Sequence, residues 1–309
     1  PLVGIANVAG SGGFGVGANV IANVVSTAVN AYVDNAIVSS TTGLNVGATS
    51  SMNTYDAVIS TTFGSAAGVG ITGVNNIYSG TTKAAIEGST VENGSVSVVA
   101  NDLFNLNTVV FSIAGAVAGA AVSGVENANV IENNVIANII NTGINYASTV
   151  SVNAQNSVYI NDILAAASVA ATGAGVNLIP VVNQFTGKTE AKIEGGSVKG
   201  ADTNVSAKTI ANVNAGIVGA TGAVTGASLG GYTVTNVFDN DIIAAVDGTT
   251  IQNAKSTSVN AESDIDILNG LASAGLAGIG ANALANVLVN VINNNVTAYI
   301  ADSYIQGGS

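Results

Sequence analysis

Apolar and polar residues alternate along most of this chain. Near its C-terminus, Val287, Val289 and Val291 fall on alternate positions, and so do Val296, Ala298 and Ile300. A period of two sends every second side chain to one face of a strand. Between the two runs, Asn293 to Asn295 predict a turn. The same arrangement recurs along the chain. The pattern Ala-x-[Val/Ile]-x4-[Val/Ile] starts at Ala31, Ala84, Ala137, Ala191, Ala244 and Ala298, with steps of 53, 53, 54, 53 and 54 residues. A second motif, Val-x-Ala, marches with it at Val46, Val98, Val152, Val205 and Val259. Two independent motifs on one period establish an internal repeat.

Each copy reads as strand, turn, short strand, turn, strand. Four residues after each marker alanine stands Asn35, Gly88, Asn141, Gly195, Gly248 or Asp302, residue types that accept a left-handed turn. Four residues before it stands Thr27, Gly80, Asn133, Gly187, Asn240 or Asn294, which predicts a second turn. Six residues before it the position is always apolar: Val25, Tyr78, Ile131, Phe185, Phe238 or Ile292. The rest of each copy is rich in Gly and Ala, as in AGAVAGAAVSGV, and reads as tightly packed strands or bends.

These features predict an all-β fold, a parallel β-solenoid of six repeats of about 53 residues, forming one array over 1–309. The units run approximately over 1–60, 61–110, 111–163, 164–217, 218–269 and 270–309. Asn at the corners would stack copy on copy as amide ladders. Two three-sided coils of about 26 residues per repeat, or three of about 18, fit the arithmetic, for a length of about 57 Å or about 82 Å at 4.8 Å per rung.

Composition sharpens the picture. Apolar residues make up 48% of the 309, yet aromatics are only 5%, which suits a narrow core lined by small and β-branched side chains. Charged residues are 8%, with a net charge of −12, and all six basic residues are Lys. That balance opposes nucleic acid, whose phosphates need clustered cations. The lack of Cys favours a cytosolic protein or a bacterial exoprotein over a disulfide-stapled module, and the solvent-facing palette of Asn, Ser, Thr and Gly is commoner outside the cell than inside it. The chain opens and closes partway through a repeat, which predicts a segment of a longer protein with its export signal upstream.

Candidate chemistry is sparse. With no His and no Cys there is no Ser-His-Asp triad and no thiolate nucleophile or zinc site. Asp239-Asn240-Asp241, Asp264 with Asp266, and Asn161-Asp162 offer hard oxygen ligands, but none recurs at a fixed repeat position and no calcium-loop motif is present. The acids Asp34, Glu87, Glu194 and Asp247 sit three residues after the marker alanine, a register that predicts an exposed edge rather than one site. Lys188, Lys192, Lys199 and Lys208 crowd into the fourth repeat beside Glu190 and Glu194 and read as a solvated face. The uncharged stretch Leu268 to Val296 and the Gly115-x-x-x-Gly119 spacing resemble membrane-helix features, but Asn residues interrupt the stretch, so no membrane insertion is expected. The expectation is a non-enzyme with no catalytic, cofactor-binding or metal-binding residues.

The alternation of Val-Asn-Ala segments, Gly/Ala runs and the stretch VNVINNNVTAYI resembles the repetitive passenger regions of giant bacterial adhesins and exoproteins of the filamentous-haemagglutinin and leukotoxin type. The resemblance implies a right-handed β-helix at the bacterial surface or outside the cell, working as a stalk or shaft. Its partners would be neighbouring repeats of a longer chain. Alternatives are an adhesive segment that binds host glycans or surfaces, and a segment of a filament assembled end to end or side to side.

Overall fold

The alternation predicts strands, and the computed structural model, which describes residues 2–307, is built of strands with no helix among them. The strands form a fifteen-stranded sheet system paired in parallel. Partners stand 52 to 54 residues apart throughout. Leu2 pairs with Tyr55, Gly43 with Ser95, Phe14 with Ala67, Asp202 with Thr149 and Thr203 with Thr257. The chain is therefore a β-solenoid in which one repeat makes one coil.

Neither the 26-residue nor the 18-residue coil is formed. The second coil shows why. An outbound leg, Gly43–Gly64, bends at Ser65 and Ala66 into a return leg, Ala67–Glu87. Gly88 and Ser89 turn the chain into a short third side, where Thr90 to Glu92 stack on Ile37–Ser39. Each long leg spans about 70 Å at 3.3 Å per residue, whereas six stacked rungs rise only about 24 Å. The molecule is a blade, broader than it is tall.

The turn expected four residues before each marker alanine is absent at Thr27, Gly80, Asn133, Gly187 and Asn240, which lie inside continuous strands. Only in the last coil does the ladder break there, between Ile292 and Asn295. The physical reason is steric. Gly80 faces inward beside Tyr78, and a Cβ on Gly80 would lie 2.6 Å from the Tyr78 hydroxyl. Small and amide residues at this position make room for bulky neighbours rather than bending the backbone.

The other predicted turn forms as expected. Asn35, Gly88, Asn141, Gly195, Gly248 and Asp302 all have positive φ, between 47° and 66°. Each coil's turn is tied to the next: Asn141 N donates to Glu194 O at 2.7 Å, and Gly195 N to Asp247 O at 2.9 Å. The Gly/Ala bend has its own column, with φ of 109° at Gly119, 109° at Gly173, 132° at Gly226 and 147° at Gly280. A Cβ on Gly226 would overlap the Gly173 carbonyl below it.

Neighbouring coils are not identical; they alternate. Stacked along one outward column are Phe63, Gly115, Val169, Gly222 and Leu276. Another holds Ile71, Gly124, Leu178 and Gly231. In each, a bulky side chain leans over the glycine of the following coil: Leu178 Cδ2 would be 3.1 Å from a Cβ on Gly231. Along these columns the period is thus two coils, about 107 residues, a regularity the 53-residue motifs conceal.

Candidate functional site: a striped core and a charge-free outer face

The two long legs face each other, so inward residues meet across a narrow interior. From the Gly/Ala edge the core begins with a small alanine cluster, Ala114, Ala116, Ala121 and Ala170. Hydroxyls follow: Ser123 Oγ donates to the Ser112 carbonyl at 3.1 Å. An aliphatic band comes next, with Val58, Val74, Val110 and Leu164. Beyond an amide ladder lies an aromatic band in which Tyr78 and Phe104 stack at 4.7 Å and Phe185 meets Phe238 edge-on at 6.4 Å. A second polar band, with Thr82, Asp102, Asn133 and Asn156, separates this from the largest aliphatic cluster, at the far end.

The amide ladder runs through every coil. Asn23 donates to Asn76 at 2.8 Å, Asn76 to Asn129 at 2.9 Å and Asn129 to Asn183 at 2.7 Å. Asn183 then donates to Asn236 at 3.0 Å and Asn236 to Asn290 at 2.9 Å. All five bonds point the same way, so each amide polarises the next. The column opposite alternates with the two-coil period: Asp56, Thr108, Asp162, Ala215, Asn269. Asn23 donates to Asp56 at 2.9 Å, Asn129 reaches both Asp162 oxygens at 3.3 Å, and Asn236 reaches Asn269 at 3.4 Å. Sequence reasoning placed amide ladders at the corners; this one is in the core. The signal was available, because Asn23, Asn76, Asn129, Asn183, Asn236 and Asn290 each precede by two residues the apolar position read from the repeat.

Burial pushes the Asp162 carboxyl up to about 6, against the pull of the surrounding amides. Asp102 is raised in the same direction by burial, although it accepts from Thr82 Oγ1 at 3.1 Å and from Tyr78 Oη at 3.5 Å. Asp56 behaves likewise, with Asn23 and Asn76 opposing the effect of burial.

The hard-oxygen groups weighed as calcium ligands are not brought together. Asn161 points outward while Asp162 points into the core, so the sheet separates them. Asp239 and Asp241 face solvent and accept from Asn293 at 3.1 Å and Asn295 at 3.2 Å, while Asn240 is buried between them. Asp264 and Asp266 lie outward on the last coil. Among the described residues, no three Asp, Glu, His or Cys side chains cluster as metal ligands would.

Asp34, Glu87, Glu194 and Asp247 share one column, with Ile140 between Glu87 and Glu194. Lys192 relieves the acid-on-acid contact in the upper part, 3.0 Å from Glu194 and 3.4 Å from Asp247. Burial disfavours its charge, but the two carboxylates outweigh that and hold its pKa above the usual lysine value. Lys188 pairs with Glu190, and Lys208 with Glu262 at 2.8 Å. The fourth-repeat lysines are thus largely absorbed into ion pairs along one edge.

The uncharged stretch from Leu268 to Val296 forms the outer half of the last outbound leg, the bend and the return leg. Gly115 and Gly119 lie in a strand and at its bend rather than along a helix. No helix of the described residues is long and apolar enough to cross a membrane, which says nothing of strands.

The half of each coil next to the Gly/Ala bend carries apolar residues outside as well as inside. On the outbound face, Phe63 is 51% exposed, Ile163 55% and Val169 58%. The corresponding sequence stretches, 57–82, 103–125, 163–187, 209–238 and 267–301, contain no charged residue. No family model, curated protein or solved structure matches the chain.

Proposed function

We propose that this chain is a segment of the shaft of a large bacterial surface or secreted protein, an adhesin or fibre, and that its work is mechanical. The observation that carries the reading is the parallel ladder, in register from the first coil to the last. Each coil covers the apolar stripes of its neighbours, so stability accumulates with copy number and the array can be extended without redesign. The amide ladder supports the same reading, since a slipped coil would put amides against aliphatic bands.

Breadth is the distinctive property of this shaft. A coil of about 53 residues adds only about 4.8 Å of height, so the chain invests in width and stiffness rather than in reach. Electron microscopy of the isolated chain should show straight plates about 70 Å wide, and arrays of glycans and matrix proteins should show no binding. Specific glycan binding, lost when the outward residues of one coil are replaced, would make the chain an adhesive segment and sink the shaft reading.

A further inference from the structure

The charge-free outbound face is not smooth. Phe63, Val169 and Leu276 stand in one column, two coils apart, with Gly115 and Gly222 between them. The Phe63 ring covers Gly115 itself, and hollows open beside these residues: one of about 500 Å³ lined by Gly10, Phe63, Gly115 and Val169, and one of about 290 Å³ at Gly222 between Val169 and Leu276. A third, of about 410 Å³, lies over Gly216 between Ile163 and Leu268. Along the Phe63 column knobs and glycines therefore alternate with a spacing of about 9.6 Å, twice the rung height.

We infer that this face packs side by side against the same face of a second copy of the chain, axes aligned, the knobs of each seated in the hollows of the other. The spacing identifies the partner. A strand lying along the axis repeats its side chains every 6.8 Å or so, roughly two residues of rise, and a helix returns one to the same face after about 10.5 Å. The strand is out of step at the second knob, and the helix drifts by about 2 Å over the three. A second copy carries the same two-coil period and stays in step over the full height. The uncharged part of the face, from the column of Asn107, Asn161 and Asn214 to that of Phe63, measures roughly 26 Å by 24 Å, or about 630 Å², somewhat below the roughly 800 Å² per partner of a standard interface and in the range of a weak one. The return face is a poorer candidate, because Glu126 and Pro180 stand outward in the column two residues from that of Gly124 and Leu178, adding a charge and a rigid ring beside it.

This inference rests on the shaft reading but can fail without it, since a strictly monomeric blade would remain a shaft segment. The test is sedimentation velocity on the whole chain from about 1 to about 100 µM, a range that brackets a weak specific dimer. Gly222→Val is the informative variant. Its Cβ would lie 3.8 Å from Val169, an ordinary contact, so the fold accepts it while the hollow is filled. Wild type should associate, and Gly222→Val and Val169→Lys should each weaken association by about tenfold. Ser148→Glu, exposed on the polar half, should leave it unchanged, with circular dichroism confirming an intact fold in all. A monomer throughout would overturn the inference. So would tighter association of Gly222→Val, which signals unspecific apolar adhesion, or association indifferent to both variants, which signals end-to-end stacking. Binding to phosphatidylcholine vesicles in place of self-association would also overturn it, by assigning the face to lipid.

Discussion

Asp162 is the residue at which this fold is most sensitive to pH. Its carboxyl titrates near 6 in the folded chain, against a usual value of 3.8. Because the folded value is the higher one, the unfolded chain loses its proton first as pH rises. The stability that Asp162 contributes is therefore greatest below about pH 4, falls through the window between about 4 and 6, and levels off above it, by about 3 kcal/mol in all. Chemical denaturation at about pH 4 and about pH 7 should show that difference, and Asp162→Asn should recover most of it at the higher pH. A residual slope will persist, since burial also raises Asp56 and Asp102. Asn129 is the complementary case. Replaced by Ala, it would leave the Asn76 amide without its acceptor and take from Asp162 one of the donors around it, at a cost of about 3 kcal/mol. Asn161 belongs to an exposed ladder of similar geometry, accepting from Asn214 at 2.9 Å and donating to Asn107 at 3.1 Å. Asn161→Ala should cost less than about 0.5 kcal/mol, because water replaces what is lost. Equal losses at Asn129 and Asn161 would show that burial of the inner ladder does not matter.

At the scale of the strand and the turn, glycine has two meanings in this chain, and sequence reasoning separated them only in part. The left-handed column at Asn35, Gly88 and Asn141 was legible because Asn and Gly substitute for one another there, as a positive φ demands. The column at Gly80, Asn133 and Gly187 shows the same interchange for a different reason. These residues point into a crowded core, where bulk rather than φ selects them at Gly80 and Asn133. Reading them as turns cut each long leg in pieces and produced coils of half or a third the true size. The two meanings predict different outcomes for one substitution. Gly226→Ala combines a φ of 132° with overlap onto the Gly173 carbonyl, and should lower stability by more than about 3 kcal/mol. Gly222→Ala, four residues away on extended backbone with only Val169 nearby at 3.8 Å, should stay within about 0.5 kcal/mol. Thermal melts of the two variants, side by side, make the comparison.

Across the whole molecule, the repeat that motifs reveal and the repeat that packing requires differ by a factor of two. The 53-residue motifs are legible because they mark backbone events common to all coils. The alternation is carried by pairs such as Phe63 over Gly115 and Asp162 between Thr108 and Ala215, whose partners lie a full coil away and become neighbours only once the register is known. Excision tests which unit is the structural one. Removing the 107 residues Asn101 to Ala207 would bring Ala100 against Lys208 in the chain and stack Asp56 beneath Ala215, as Asp162 now stacks. Removing only the 54 residues Asn101 to Ala154 would stack Asp56 directly on Asp162 and Phe63 on Val169, placing two buried carboxyls about 4.8 Å apart with no Thr108 between them. If coils were interchangeable, the shorter deletion would be the milder one, because more of the array remains. The two-coil period reverses that order: the 107-residue deletion should melt cooperatively close to the parent chain, and the 54-residue deletion should melt lower, with the gap widening as pH rises and the stacked acids ionise.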